Sequence, residues 1–368
     1  MRPIDKSATD TARDSAPLPQ DYQHFLLLGS RRAPHTLYVH ERGYRSGTIN
    51  TDTLGFRYSH CAGKRFSVAE CGGAARVNLL VGGSTALGIG ASSDEHTVAS
   101  YLSTFTGEVW LSLSGCGHTA AQELMLFLSH QHRFGQIGHV VVLSGLNTLA
   151  HESLSEAFTG QHNQQRARAY QHFPNSFNEG VYRLGDERPE SLWQRLRQTL
   201  LPRQAFPPLE IEPLSPPDKR LIRAADSIGR TLRQWERLLA DSNATLTFIL
   251  QPLLPWCRET PPEGEQAMLT ALDREPGNFD RLLSGMLESQ LHAAFFRRIK
   301  SQAEPVACYD MNTMLSSSPV FGENLFIDRL HFNDLGNNAL AKVITAKLGL
   351  AQEKYANRKV TPIKRVRD

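Results

Sequence analysis

RVNLLVGGSTALGIG, residues 76–90, joins an apolar run to a glycine-rich turn that contains one serine. Val77, Leu79, Leu80 and Val81 form a nearly continuous hydrophobic stretch ended by glycines, the pattern of a strand buried on both faces. Ser84 follows two glycines and precedes a helical spacing, so the turn lifts a hydroxyl and a backbone N–H above the sheet edge, as a nucleophile requires. Taken alone, Ser84 fits an ordinary turn serine as well. A phosphate loop is excluded because no lysine follows in the G-x-x-x-x-G-K-[ST] pattern, and the glycine spacing of a dinucleotide fingerprint is absent.

The apolar pattern recurs downstream. EVWLSLSG (108–115), HVVVLSGLN (139–147) and ATLTFILQP (244–252) read as further buried strands, with PVACYDM (305–311) as a weaker fifth. Between them lie helical patterns: 93–105, where Ser92 and Glu95 stand at capping-box spacing, and 119–133, which starts at Thr119 and carries a stripe through Leu124, Phe127 and Leu128. Strands alternating with helices predict a parallel sheet covered on both faces, with ligands gathered at the carboxyl ends of its strands.

Those strand ends carry the chemistry. The second ends in SLSGCGHTAAQEL, where Gly117 exposes a backbone N–H or simply shapes a helix entry. The third ends in VVLSGLNTLA, where Asn147 either aims an amide over the sheet or caps a turn. Near the C-terminus, FIDRLHFNDLGNNALAKVI (326–344) places Asp328 and His331 three apart in a polar turn, as helix-start residues or as an acid orienting a base. Together these positions have assignable roles. Ser84 attacks a carbonyl, His331 takes its proton, Asp328 holds the imidazole tautomer, and the N–H groups of Ser84 and Gly117 with the Asn147 amide stabilise the oxyanion. Gly83, Thr85, His118, Thr148 and His151 flank them and are candidates for lining a substrate pocket, although His151 also suits a surface helix start.

The order Ser, Gly, Asn, then Asp-x-x-His resembles the SGNH (GDSL-type) hydrolase superfamily. VGGSTALG is similar to its first block, SGCGHTA with Gly117 to its second, Gly145-Leu146-Asn147 to its third and DRLHFNDLGNNALA to its last. Upstream, NTDTLGFR resembles an Asn-then-Gly-Phe-Arg strand found in some members. The resemblance covers roughly residues 50–150 and 305–350, and two positions depart from it. Gly83 stands where the family usually has Asp, and Thr148 where an Asp often follows the asparagine. The resemblance implies a three-layer α/β/α, flavodoxin-like parallel sheet. It also implies an acyl-serine mechanism without metal or organic cofactor, acting on a small-molecule ester or acyl donor.

Length and composition set the frame. The 368 residues, 40% hydrophobic and 21% charged, suffice for a large core, and a net charge of +3 without a basic stripe gives nucleic-acid binding little support. Five cysteines without a C-x-x-C pair suggest free thiols rather than a disulfide framework or zinc site. Residues 1–20 lack an apolar signal core, and no later run approaches about 20 apolar residues, so no membrane span and a cytoplasmic location are expected. The expected organisation is a disordered 1–20, short strands over 21–75 packed on the core, an α/β core of 76–150 and 244–352, and a basic tail at 353–368. The remaining 151–243 reads as an insertion serving as a lid, partly helical through a stripe at 218–240, and a further helix is expected over 279–300; both stripes read as core or packing seams by default. The leading functional expectation is a serine esterase. An acyltransferase built on the same acyl-serine chemistry is the alternative, and a non-catalytic binding protein on this fold, motivated by Gly83 and Thr148, is the third.

Overall fold

The computed structural model describes residues 20–28, 31–32, 38–71, 76–152, 216–274 and 282–350. The expectations for the N-terminal stretch up to residue 19, for 153–215 and for the tail from 351 lie outside the described residues.

All five expected strands are present: β1 Arg76–Gly82, β2 Trp110–Ser114, β3 Gln136–Ser144, β4 Thr245–Leu250 and β5 Ala307–Asp310. They form one parallel sheet in the order β2-β1-β3-β4-β5. This is the flavodoxin-like doubly wound order, whose direction of winding reverses between β1 and β3 and opens a crevice at their carboxyl ends. Ser84 and Asn147 leave the sheet at that reversal.

The continuous apolar runs are explained by two cores. Leu79, Val81, Leu111, Leu113, Val140 and Val142 face one hydrophobic cluster, whereas Leu80, Trp110, Val141, Leu143 and Ile249 face the other. Alternate residues of one strand therefore enter opposite layers, and the polar ones that do so, such as Asn78 and Ser112, are hydrogen-bonded. The first layer holds α2 (Ala120–His130), α4 (Pro217–Leu239) and α6 (Ser289–Ala303), through Leu124, Phe127, Ile228, Leu232, Trp235, Phe295 and Ile299. The second holds α1 (Val98–Thr106), α5 (Glu263–Arg274) and α7 (Asp334–Lys347), through Val98, Leu102, Met268, Leu340 and Ile344. Among the described residues no helix is long and apolar enough to cross a membrane. The five cysteines are unpaired.

Three expectations change. The stripe at 218–240 belongs to α4, the crossover helix between β3 and β4, which packs on the sheet and on α6 as part of the core layer and not of a lid. An apolar stripe reports that a helix docks, not what it docks against. The helix expected over 279–300 is interrupted in the described residues: Leu282 is helical, Gly285 turns left-handed, the buried Arg220 guanidinium takes the carbonyls of Leu282 and Ser284, and α6 starts at Ser289. The start expected at Ser92 is split in two: Ser93 caps a short turn at Asp94–His96, and Thr97 caps α1 through the N–H of Ser100. Ahead of the sheet, Gln20–Leu27 is helical and buries Tyr22, Phe25 and Leu26 against Leu87, Ile89 and Cys116, behind the Ser84 turn.

One buried acid gives the core a pH dependence. Glu123 on α2 is 1% exposed, accepts the Ser144 hydroxyl at 2.6 Å, and burial pushes its carboxyl up to about 8. The folded protein then holds a proton that the unfolded chain releases first, so this group's contribution declines as pH rises from about 4.5 to about 8. Glu123→Gln should remove that decline. Its unfolding free energy should gain on wild type as pH rises across this window, by a few kcal/mol at most given about 1.4 kcal/mol per pKa unit. Parallel pH–stability profiles of the two proteins would contradict a neutral buried Glu123.

Candidate active site

β1 ends at Gly82, where a Cβ would stand 2.2 Å from the Leu143 carbonyl oxygen, so only glycine lets β1 and β3 run this close at their ends. Gly83 precedes the four-residue helical turn Ser84–Leu87, which Gly88 closes by donating its N–H to the carbonyls of Ser84 and Thr85. Ser84 is the first residue of the turn and is 2% exposed.

The opposite wall is a tight loop. Phe326 and Phe332 pair as an antiparallel bridge, and Ile327 N–H donates to the His331 carbonyl at 2.9 Å, leaving Asp328 at the turn. Asp328 Oδ1 accepts the N–H groups of Leu330 (2.8 Å) and His331 (2.7 Å), while Oδ2 accepts His331 Nδ1–H at 2.5 Å. His331 is fully buried, and its Nε2 lies 2.7 Å from Ser84 Oγ. With the proton of the ring held on Nδ1 by the carboxylate, Nε2 is the acceptor of the Ser84 hydroxyl. Burial alone would raise the Asp328 carboxyl, but the His331 ring and the two backbone donors outweigh it and hold it below the usual carboxylate range.

Asn147 is the second residue of α3 (Leu146–Glu152), and its Nδ2 donates to the His118 carbonyl at 3.0 Å. The same Nδ2 would stand 2.4 Å from a Cβ on Gly83. The glycine that departs from the family pattern is therefore the residue that gives the Asn147 amide its place beside the serine. Gly117 sits left-handed in the turn Gly115–His118, which is anchored to β1 by Gly115 N–H donating to the Gly82 carbonyl at 3.2 Å. Cys116 N–H donates to His40 Nε2, and burial lowers that imidazole to about 3, keeping it a neutral acceptor. Gly83→Ala should displace the Asn147 amide and lower kcat by about 10²–10³-fold, the typical loss of one oxyanion donor. Initial rates on an activated aryl ester check this, and near-wild-type turnover would mean that the Asn147 amide stabilises no oxyanion.

The flanking candidates divide by what their polar atoms touch. Thr85 Oγ1 donates to the Leu330 carbonyl and accepts Gln251 Nε2–H, both at 3.1 Å, so it ties the serine turn to the histidine loop. Thr148 Oγ1 accepts the Ala120 N–H at 2.9 Å and supports the start of α2. Both hydroxyl oxygens are hydrogen-bonded inside the protein. The His118 ring lies over Gly115 and is 1% exposed, and His151 is buried in the last turn of α3. Gln251 was missed by sequence reasoning, although it stands directly after a strand in FILQP, where an unmatched polar side chain is a usable signal.

No protein-family model matches the chain. No curated protein matches it in sequence. Among solved structures it is similar to a lipase from a goat rumen metagenome, at 12% identity and a TM-score of 0.40, over 74% of this chain and 96% of that one. It is also similar to an acetyl xylan esterase, at 10% identity and a TM-score of 0.37, over 74% and 99% of the two chains. A lipolytic protein of the G-D-S-L family from Veillonella parvula matches at 9% identity and a TM-score of 0.37, over 74% and 97%.

Proposed function

We propose that the protein is a serine hydrolase of the SGNH type, cleaving an acyl ester through an acyl-Ser84 intermediate. The observation that carries this reading is the unbroken hydrogen-bonded series Ser84, His331, Asp328 at the strand carboxyl ends, beside the reversal of the sheet. Ser84 Oγ adds to the ester carbonyl as its proton passes to His331 Nε2, and Asp328 stabilises the resulting imidazolium. The tetrahedral oxyanion collapses, the C–O bond to the leaving alcohol breaks, and the alcohol departs with the proton from Nε2. Water, deprotonated by the same nitrogen, then releases the acid and restores Ser84.

A second reading is transfer of the acyl group to a bound alcohol or amine. It is favoured by the burial of both Ser84 and His331, at 2% and 0% exposure, which restricts the entry of water. Intact mass after incubation with a fluorophosphonate tests the shared first half-reaction: one adduct is expected, absent from Ser84→Ala. The second half is read from 4-nitrophenyl acetate turnover with and without added glycerol, where an acetylated acceptor outpacing free acetate selects transfer. A folded wild-type protein that takes no adduct would leave a non-catalytic binding protein on this fold.

A further inference from the structure

The stretch Asn50–Arg57 (NTDTLGFR) takes no part in the steps above, yet it ends against the back of the serine turn. Arg57 is fully buried. Its Nε donates to Asp94 Oδ1 at 2.7 Å and its Nη2 to the Thr48 carbonyl at 2.7 Å. Its Nη1 reaches the carbonyls of Leu87 (3.3 Å) and Gly88 (2.7 Å) and the Tyr22 hydroxyl (2.8 Å). Leu87 is the last residue of the turn that Ser84 begins, and Gly88 is its cap. Tyr22 Oη lies within hydrogen-bond reach of the Gly88 and Ala91 carbonyls, at 2.9 and 2.7 Å.

The rest of the stretch builds this grip. Asn50 holds Asp94 from the other side, through its N–H to Oδ1 and its amide to Oδ2. Asp52 closes the intervening turn by accepting the N–H groups of Leu54 and Phe56. A four-residue helix is too short to stand alone and leaves its terminal carbonyls without intrahelical partners. The guanidinium gives Nη1 to the Leu87 and Gly88 carbonyls while Nε and Nη2 hold Asp94 and the Thr48 carbonyl, so one planar group ties the negative end of the turn to two fixed anchors, which a single ammonium cannot do in the same geometry. The hydroxyl at the other end of that turn must stay 2.7 Å from His331 Nε2.

We propose that Arg57 is a positioning residue of this site: by fixing the Leu87 and Gly88 carbonyls it sets where Ser84 Oγ stands relative to His331. The proposal rests on the acyl-Ser84 reading. Arg57→Lys keeps the charge and loses the fork, and Tyr22→Phe removes one hydroxyl from the same contacts. The test resolves fluorophosphonate capture by the full chain into its binding constant and its limiting rate, beside the melting temperature of each variant. The limiting rate should fall about 10–100-fold in Arg57→Lys with binding within about twofold, as a displacement of about 1 Å would produce, and less in Tyr22→Phe. A folded Arg57→Lys captured at the wild-type limiting rate overturns the proposal, whatever its melting temperature, because a purely structural strut affects only the latter. Should Arg57→Lys not be recovered folded, Tyr22→Phe decides: a reduced limiting rate supports the proposal and an unchanged one overturns it. No capture by wild type is a different outcome, which removes the acyl-Ser84 reading and the positioning role with it.

Discussion

Ser84→Ala is expected to lower turnover of 4-nitrophenyl acetate by about 10⁶-fold, His331→Ala to lower it as far, and the double variant to be no slower than either. The equality follows from the geometry. The Ser84 hydroxyl is buried, and the acceptor within reach of its proton is His331 Nε2 at 2.7 Å. Without the imidazole, attack would have to expose a bare alkoxide or a protonated ether oxygen inside the protein. Without the hydroxyl, the imidazole has nothing to activate. Residual catalysis over water of about 10³–10⁴-fold should survive in all three variants, from the oxyanion donors and binding alone. In His331→Ala, fluorophosphonate capture should fall in the same proportion as turnover. Losses that multiply in the double variant would mean that the two residues act separately, and the serine mechanism would be wrong.

The sheet was legible because a strand buried on both faces is mostly apolar at consecutive positions, as Leu79, Leu80 and Val81 are, with buried exceptions such as Asn78 and Ser112. No shorter or differently facing element writes so plain a run. The residues of the site were legible for a related reason: each stands directly after a strand or in a turn, where a glycine, an amide or an Asp-x-x-His spacing has few structural uses. What stayed hidden depends on partners far away in the chain. Gln251 meets Thr85 across 166 positions, and Arg57 meets Gly88 across 31, and neither pairing leaves a local pattern. The same holds for α4, whose stripe is as regular as that of a lid helix. The two family departures become intelligible only in three dimensions, since Gly83 makes room for the Asn147 amide and Thr148 supports the start of α2.

Asp328→Asn is expected to lower kcat by about 10⁴-fold with little change in KM, the magnitude seen when an orienting acid of this kind loses its charge. An amide cannot repeat what this carboxylate does. Asp328 accepts three hydrogen bonds, two from backbone N–H groups on Oδ1 and one from His331 on Oδ2. If the asparagine oxygen keeps the backbone donors, its NH₂ faces Nδ1 and forces the ring proton onto Nε2, where it opposes the serine hydroxyl instead of accepting from it. If the oxygen turns to His331, the NH₂ meets two N–H donors and the loop must open. Either way the base is lost while the substrate pocket is not, which separates kcat from KM. The stability of the variant carries an independent sign. The folded carboxyl of Asp328 is held below its unfolded range, so its contribution is present above the unfolded pKa of about 3.9 and disappears as pH falls through the folded value. Wild type should therefore be more stable than Asp328→Asn at neutral pH, and the gap should close on acidification below about 4. A variant that keeps more than about a tenth of wild-type kcat would show that His331 holds its tautomer without Asp328, and the acid would then belong to the architecture of the loop alone.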